Sequence, residues 1–247
     1  MKTLLTLTTT LFLISCTIQQ NQLTQQEKSE GWQLLFDGTT TTGWKSISSD
    51  SFPAQGWSVC NGELCCNATD LKESQNGGDI ITTEQYGNFE LSLEWKMITP
   101  GGNSGIKYLV QADLDSTNKK HGIGLEYQIL DDANFSWMKE GKMKPGDFHT
   151  MGALYELYPC PVKHPKPLGE WNHSRIIRTG NHIEHWLNGE KILDVTTGTD
   201  DFHRRVAESK FRDIPGFGEW EKGHILLQDH GANVCFRNIK IREITKQ

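Results

Sequence analysis

Four stretches of this chain set titratable or amide side chains at alternate positions beside apolar ones. In GGNSGIKYLVQ, Ile106, Tyr108 and Val110 alternate with Lys107, and Asn103 stands where the run begins. In GLEYQILDD, Leu125, Tyr127 and Ile129 alternate with Glu126 and Gln128, and Asp131 follows. NHIEHWLNGE sets Ile183, His185 and Leu187 against Glu184 and Trp186; HILLQDHG sets Leu226, Gln228 and His230 against Ile225, Leu227 and Asp229. Period-two alternation is that of a β-strand with two unlike faces. Neighbouring strands that point these groups the same way would line one concave surface with Lys107, Glu126, Gln128, His185 and His230. An amine, a carboxylate and an imidazole on one surface can move protons and stabilise an oxyanion. Taken singly, each reads equally well as the wet face of a sheet. Gly231 adds weight to the last stretch, because it turns the backbone where Asp229 and His230 are presented.

The elements that must position these groups are mostly strands. WSVCNGELCC is a hairpin about Asn61-Gly62, and the run from Asn172 to Val195 holds two further turns, at Gly180-Asn181 and Asn188-Gly189. NFELSLEWKMI and VCFRNIKIREI alternate in the same way. Sustained helical periodicity is lacking, although residues 201–212 suit a short helix. Many short strands with Gly-centred turns predict an antiparallel β-sandwich. Two segments break the pattern. Residues 132–169 contain MKEGKMKPGDFH and YPCPVKHPKP, and residues 199–222 form a shorter interruption. Long irregular insertions of this kind are binding loops, lids or disordered segments.

The amino terminus, MKTLLTLTTTLFLISC, has a basic Lys2, a short apolar run and a Leu-Ile-Ser-Cys ending. That is an export signal resembling a bacterial lipobox, with residues 1–15 removed and Cys16 lipid-modified. Residues 16–30 then read as a flexible tether and 31–247 as one domain, held at the bacterial envelope, facing periplasm or cell surface, and touching membrane only through the lipid. A net charge of −6 without a basic stripe argues against nucleic acid. The chain lacks G-x-S-x-G, H-E-x-x-H, a P-loop and a dinucleotide fingerprint, which argues against a nucleotide cofactor. Beyond Cys16 lie Cys60, Cys65, Cys66, Cys160 and Cys235. The odd number leaves at least one free thiol, with one disulfide compatible and the rest packing as small hydrophobes.

Ten blocks in one order carry a resemblance: GWQLLFDGTTTTGWKS, W-x-V-x-N-G-E-L, GGDIITTEQYGNFELSLEWKM, GGNSGIKYLV, GLEYQILDD, GALYELYP, KPLGEWNHSRII, NHIEHWLNGEKI, GHILLQDHG and CFRNIKIREI. Together, from about Gly31 to Ile244, the chain resembles the 3-keto-disaccharide hydrolase domain family. The resemblance implies a concanavalin A-like jelly-roll sandwich and a substrate already oxidised at carbon 3 of a pyranose. The departure from the family pattern is the cysteine-bearing hairpin at residues 57–66, away from the polar face.

A 3-keto sugar allows a route closed to ordinary glycosides. The ketone acidifies the carbon-2 proton; a base removes it, the aglycone leaves carbon 1 by β-elimination, and water can add back. This expectation assigns His185 or His230 as base, with Glu126 as the alternative base or the acid, and Lys107 at the enolate oxygen. Asn103, Gln128, Asp131, Trp186 and Gln228 would hold the sugar, with Asp79 of GGDIIT either joining them or serving as a turn residue. Lys210 could close over the sugar from its insertion. A divalent cation on Glu126, Asp131 and a histidine could replace Lys107 as electrophile. His182 and His185 are no zinc pair, since the spacing puts them on opposite faces of a strand. Two other readings compete: a lectin-like binding module, which needs fewer titratable groups, and an ordinary glycosidase, which needs paired carboxylates where Gln128 stands two residues after Glu126.

Overall fold

The computed structural model describes residues 20–67, 77–114 and 122–245; Cys16 and the export signal lie outside them. The described elements run α1 (Gln25–Ser29), β1 (Gln33–Leu34), β2 (Trp44–Ser46), β3 (Trp57–Cys60), β4 (Glu63–Cys66), β5 (Ile80–Thr82), β6 (Phe89–Met97), β7 (Asn103–Gln111), β8 (Ile123–Leu130), α2 (Ser136–Lys139), β9 (Asn172–Thr179), β10 (His182–Leu187), β11 (Glu190–Thr196), α3 (Asp200–Glu208), β12 (His224–Leu227) and β13 (Val234–Glu243). They form the expected jelly-roll sandwich of antiparallel strands. One sheet has the order β11-β10-β9-β6-β13-β4-β3, with β1 also on β13; the other has the order β2-β5-β12-β7-β8.

The alternation seen in the sequence sets what lies between the sheets. Phe89, Leu91, Leu93, Trp95 and Met97 of β6 face Ile106 and Tyr108 of β7 and Tyr127 and Ile129 of β8 in one core. Both predicted Asn-Gly turns put two successive residues at positive φ: 52° and 76° at Asn61-Gly62, 49° and 89° at Asn188-Gly189. That is the backbone a two-residue hairpin requires.

Strands β7 and β8 depart from a half-wet sheet. Their polar residues are buried as well: Lys107 and Glu126 are 7% exposed and Gln128 is 2% exposed. The two insertions cover that outer face. They brace each other, since Tyr158 Oη donates to Asp201 Oδ2 at 2.9 Å and Arg205 Nη1 donates to the Leu157 carbonyl at 2.8 Å. Phe202, fully buried, anchors α3 in the core.

Residues 20–30 are packed against the sandwich, which corrects the expectation of a tether over that stretch. Asn21 and Asn238 exchange two hydrogen bonds, Thr24 and Glu27 close a capping box at the start of α1, and Glu27 pairs with Lys240. Cys65 of β4 is disulfide-bonded to Cys235, directly opposite on β13; Cys60, Cys66 and Cys160 are free thiols.

Candidate active site

The outer face of the five-stranded sheet supplies the floor of a cleft of about 290 Å³, at the small end of ligand pockets. Register brings the groups together. Leu226, Lys107 and Glu126 form one row across β12, β7 and β8, so Lys107 and Glu126 stand directly opposite each other. In the next row, Gly105 lies between Gln128 and Gln228, whose backbone N–H donates to the Gly105 carbonyl. Gly105 makes room for the Glu126 side chain, which lies over it: a Cβ at position 105 would stand 2.5 Å from Glu126 Oε1. Gly122 and Gly124 continue the open floor toward the edge of β8.

The two glutamines face the cleft with oxygens to spare. Gln128 Nε2 donates to Asn103 Oδ1 at 3.2 Å, while the buried Oε1 atoms of Gln128 and Gln228 have no hydrogen-bond partner among the described residues. A buried acceptor without a donor carries a free-energy cost that a ligand hydroxyl would remove. His230 and Asn103 stand at one side, and Tyr155, Lys210 and Phe211 at the other. The Lys210 ammonium sits 4.3 Å from the Tyr155 ring centroid, joining the two insertions over the cleft. Tyr155 and Phe211 escape sequence reasoning because loops carry no periodicity.

Behind the floor, Asp79 and Asp229 are fully buried. Asp79 Oδ2 lies 3.8 Å from Lys107 Nζ, and Asp79 Oδ1 accepts the Asp229 backbone N–H at 2.9 Å. Asp229 in turn accepts from the Gly78 and Gly231 amides and from the Cys66 thiol. Burial, then the Asp229 charge, pushes that thiol far above its ordinary range. Asp79 therefore acts beneath Lys107 as its counter-ion rather than as a sugar-binding group.

The structure corrects three other assignments. His185 belongs to the opposite sheet and is fully buried among the core, with Tyr108 Oη 2.9 Å from Nε2 and the Gly152 carbonyl 3.1 Å from Nδ1. Trp186 lies on the outward face of that same sheet, donating to Glu184 Oε2 and stacked near Arg175 and Lys191. Asp131 leaves the cleft altogether: it faces a separate groove, and its Oδ2 accepts from the Gly101 amide and from Asn134 Nδ2, both at 2.9 Å. Glu126 and Asp131 thus do not converge, and the cation site proposed from them does not fit this arrangement. Lys107, Glu126, Gln128, Asn103, Gln228, Lys210 and His230 do meet.

Four sequence and structural likenesses bear on the family of this chain. The 3-keto-alpha-glucoside-1,2-lyase-like domain family matches residues 31–242. A curated relative from Bacteroides thetaiotaomicron, 3-keto-disaccharide hydrolase, is 34% identical over 233 residues, 87% of this chain and 79% of the relative. The chain belongs to this family. A candidate glycosyl hydrolase from Parabacteroides distasonis has a crystal structure similar to it at a TM-score of 0.80 and 35% identity, covering 92% of this chain and all of that one. A second from the same organism gives 0.60 and 29%, over 86% and 99%. In this member of the 3-keto-alpha-glucoside-1,2-lyase-like family, then, the polar face of the five-stranded sheet carries the candidate site.

The displaced histidine has its own consequence. Burial holds the His185 pKa at about 4, opposed only in part by the Gly152 carbonyl, against about 6.5 in an unfolded chain. Between these values the unfolded chain binds the proton and the folded one does not, so the contribution of His185 to stability is fully present above pH 6.5 and is lost as pH drops toward 4. The full loss is about 3 kcal/mol, at about 1.36 kcal/mol for each pKa unit. Urea unfolding at pH 7 and pH 4 should show His185→Gln losing about that much less stability than wild type over the interval. An equal loss in both proteins would mean that the imidazole does not titrate as its burial requires.

Proposed function

We propose that the cleft cleaves glycosides whose sugar carries a ketone at carbon 3, by elimination across carbons 1 and 2. The observation that carries the reading is the cross-strand pair of Lys107 and Glu126 in the cleft, flanked by amide oxygens of Gln128 and Gln228 that lack a hydrogen-bond partner among the described residues. Glu126 takes the carbon-2 proton, and Lys107 stabilises the enolate oxygen that forms at carbon 3. The carbon 1–oxygen bond then breaks, the electron pair leaves with the aglycone oxygen, and that oxygen is protonated. The glutamine oxygens accept sugar hydroxyls and fix the ring.

Among the described residues, Glu126 is the one carboxylate lining the cleft. A direct displacement needs two across the scissile bond, whereas elimination from a 3-keto sugar needs one base, because the ketone acidifies the proton. Addition of water to the unsaturated product would make the net reaction hydrolysis, which reconciles a lyase-like family with a relative named hydrolase. The Leu-Ile-Ser-Cys ending supports a lipid-anchored protein at the envelope, where such sugars would be met outside the cytoplasm.

The test is turnover of a 3-keto-glucoside beside the unoxidised glucoside, with products identified by NMR in deuterated water. Cleavage of the keto sugar alone, with deuterium exchanged into carbon 2, is expected. Binding without turnover of either sugar would leave a lectin, and equal turnover of both would mean an ordinary glycosidase.

A further inference from the structure

Past Asn103 and His230 the cleft does not end. A second cavity of about 230 Å³ adjoins it, lined by Pro100, Gly101, Asn134, Phe135 and Ser136 together with the same Asn103 and His230. These two are the lining residues common to both cavities. A substrate with its keto sugar over Lys107 and Glu126 and its aglycone in the second cavity would pass its bridging oxygen between them.

The second cavity is held as a unit. Asp131 Oδ2 ties the Gly101 amide on one wall to the Asn134 side chain on the other. Gly101 adopts φ +67°, and a Cβ there would meet the Asn134 carbonyl at 2.7 Å, so the close approach of the walls depends on glycine. These contacts engage the Gly101 amide and the Asn134 amide nitrogen with Asp131, and the wall also presents an aromatic ring. Phe135 lies at the cavity, 5.8 Å from the ring of Trp137, which is 48% exposed. Such a wall recognises the flat apolar face of a ring better than a pattern of hydroxyls.

Resting on the elimination reading above, we propose that this cavity is an aglycone subsite for aromatic groups, and that His230 is the acid that protonates the departing oxygen. Of the two residues at the junction, an imidazole can deliver a proton at neutral pH and the Asn103 amide cannot. As the carbon 1–oxygen bond breaks, its electron pair goes to the aglycone oxygen and takes the His230 proton. The alcohol leaves, and the imidazole is left neutral, to be reprotonated from water. Glu126 keeps the carbon-2 proton, so acid and base are separate groups.

Three 3-keto-glucosides test this: methyl, benzyl and 4-nitrophenyl. Methyl and benzyl alcohols leave with similar difficulty, so their difference reads the subsite; 4-nitrophenolate leaves without protonation, so its insensitivity reads the acid. Wild type should favour benzyl over methyl by about tenfold in kcat/KM, and Phe135→Ala should bring the benzyl-to-methyl ratio close to one. His230→Gln should lower kcat for benzyl by about 100-fold and change 4-nitrophenyl less than about threefold. A 3-keto-disaccharide preferred over benzyl, or a preference that survives Phe135→Ala, overturns the aromatic subsite. Equal losses for both leaving groups in His230→Gln, or no loss for benzyl, overturn the acid. If wild type turns over none of the three, the elimination reading itself fails and this one with it.

Discussion

Glu126→Gln should lower kcat on a 3-keto-glucoside by about 10²- to 10⁴-fold, the range over which a positioned base contributes. The substitution keeps size and one carbonyl oxygen, so the cleft keeps its shape and binding should change little. The expected signature is a collapse of kcat with KM nearly constant, since the proton is moved only in the transition state. Exchange of the carbon-2 proton with deuterium should fall in parallel with product formation, because both need the same abstraction. Gly105→Ala offers a second handle on the same atom. Its Cβ would stand 2.5 Å from Glu126 Oε1, so the carboxylate must shift and kcat should fall although every titratable group remains. The decisive comparison is exchange against cleavage. Exchange that persists in Glu126→Gln while cleavage stops would move Glu126 from the base to a later step.

The route from sequence to this site succeeded where alternation was local and failed where it depended on partners far along the chain. Lys107, Glu126 and Gln128 were legible because β7 and β8 are consecutive in the chain and pair directly, so the alternation of each strand carries onto one face. The alternation also placed Gln228 and His230 on the same side, and β12 does lie next to β7. His185 shows what a stricter reading would have caught. It shares its parity with Ile183 and Leu187, and a period-two strand sends all three inward together; the structure does so. That β10 belongs to the other sheet rests on pairings with β9 and β11, and nothing in the local pattern of NHIEHWLNGE distinguishes one sheet from the other. Trp186 was misplaced for the same reason.

Residues 20–30 failed on a different principle. Their Gln-rich composition lacks aromatics and suggests disorder, yet Thr24 followed three residues later by Glu27 is a capping-box signature. A few specific contacts, Asn21 with Asn238 among them, outweigh a composition that could not form a core alone. The Cys65–Cys235 bond spans 170 residues and depends on β4 and β13 being neighbours, a long-range pairing that five cysteines cannot specify. The two insertions were visible as interruptions. Their purpose became visible only once Tyr155 and Lys210 were found stacked over the same cleft.

Asp79→Asn should cost about 3 kcal/mol or more of stability, the usual consequence of leaving one member of a buried ion pair alone. For a domain of this size that corresponds to a fall in Tm of about 10 °C, at about 2–4 °C for each kcal/mol. The reason is the position of Lys107. Its side chain is 9% exposed, and the Asp79 carboxylate lies 3.8 Å behind the ammonium while the cleft opens in front. Asparagine retains an oxygen for the Asp229 amide but removes the negative charge that holds the ammonium aimed at the enolate position. Activity should therefore fall, because the ammonium is no longer held from behind at the enolate position. Lys107→Met in the same background separates the two effects. Removing the second charge ends the uncompensated burial, so the double variant should regain most of the lost Tm while remaining inactive at every pH. A double variant no more stable than Asp79→Asn would mean that Asp79 serves the Asp229 loop rather than Lys107, and the activity loss would then follow from a displaced His230 instead of a misplaced lysine.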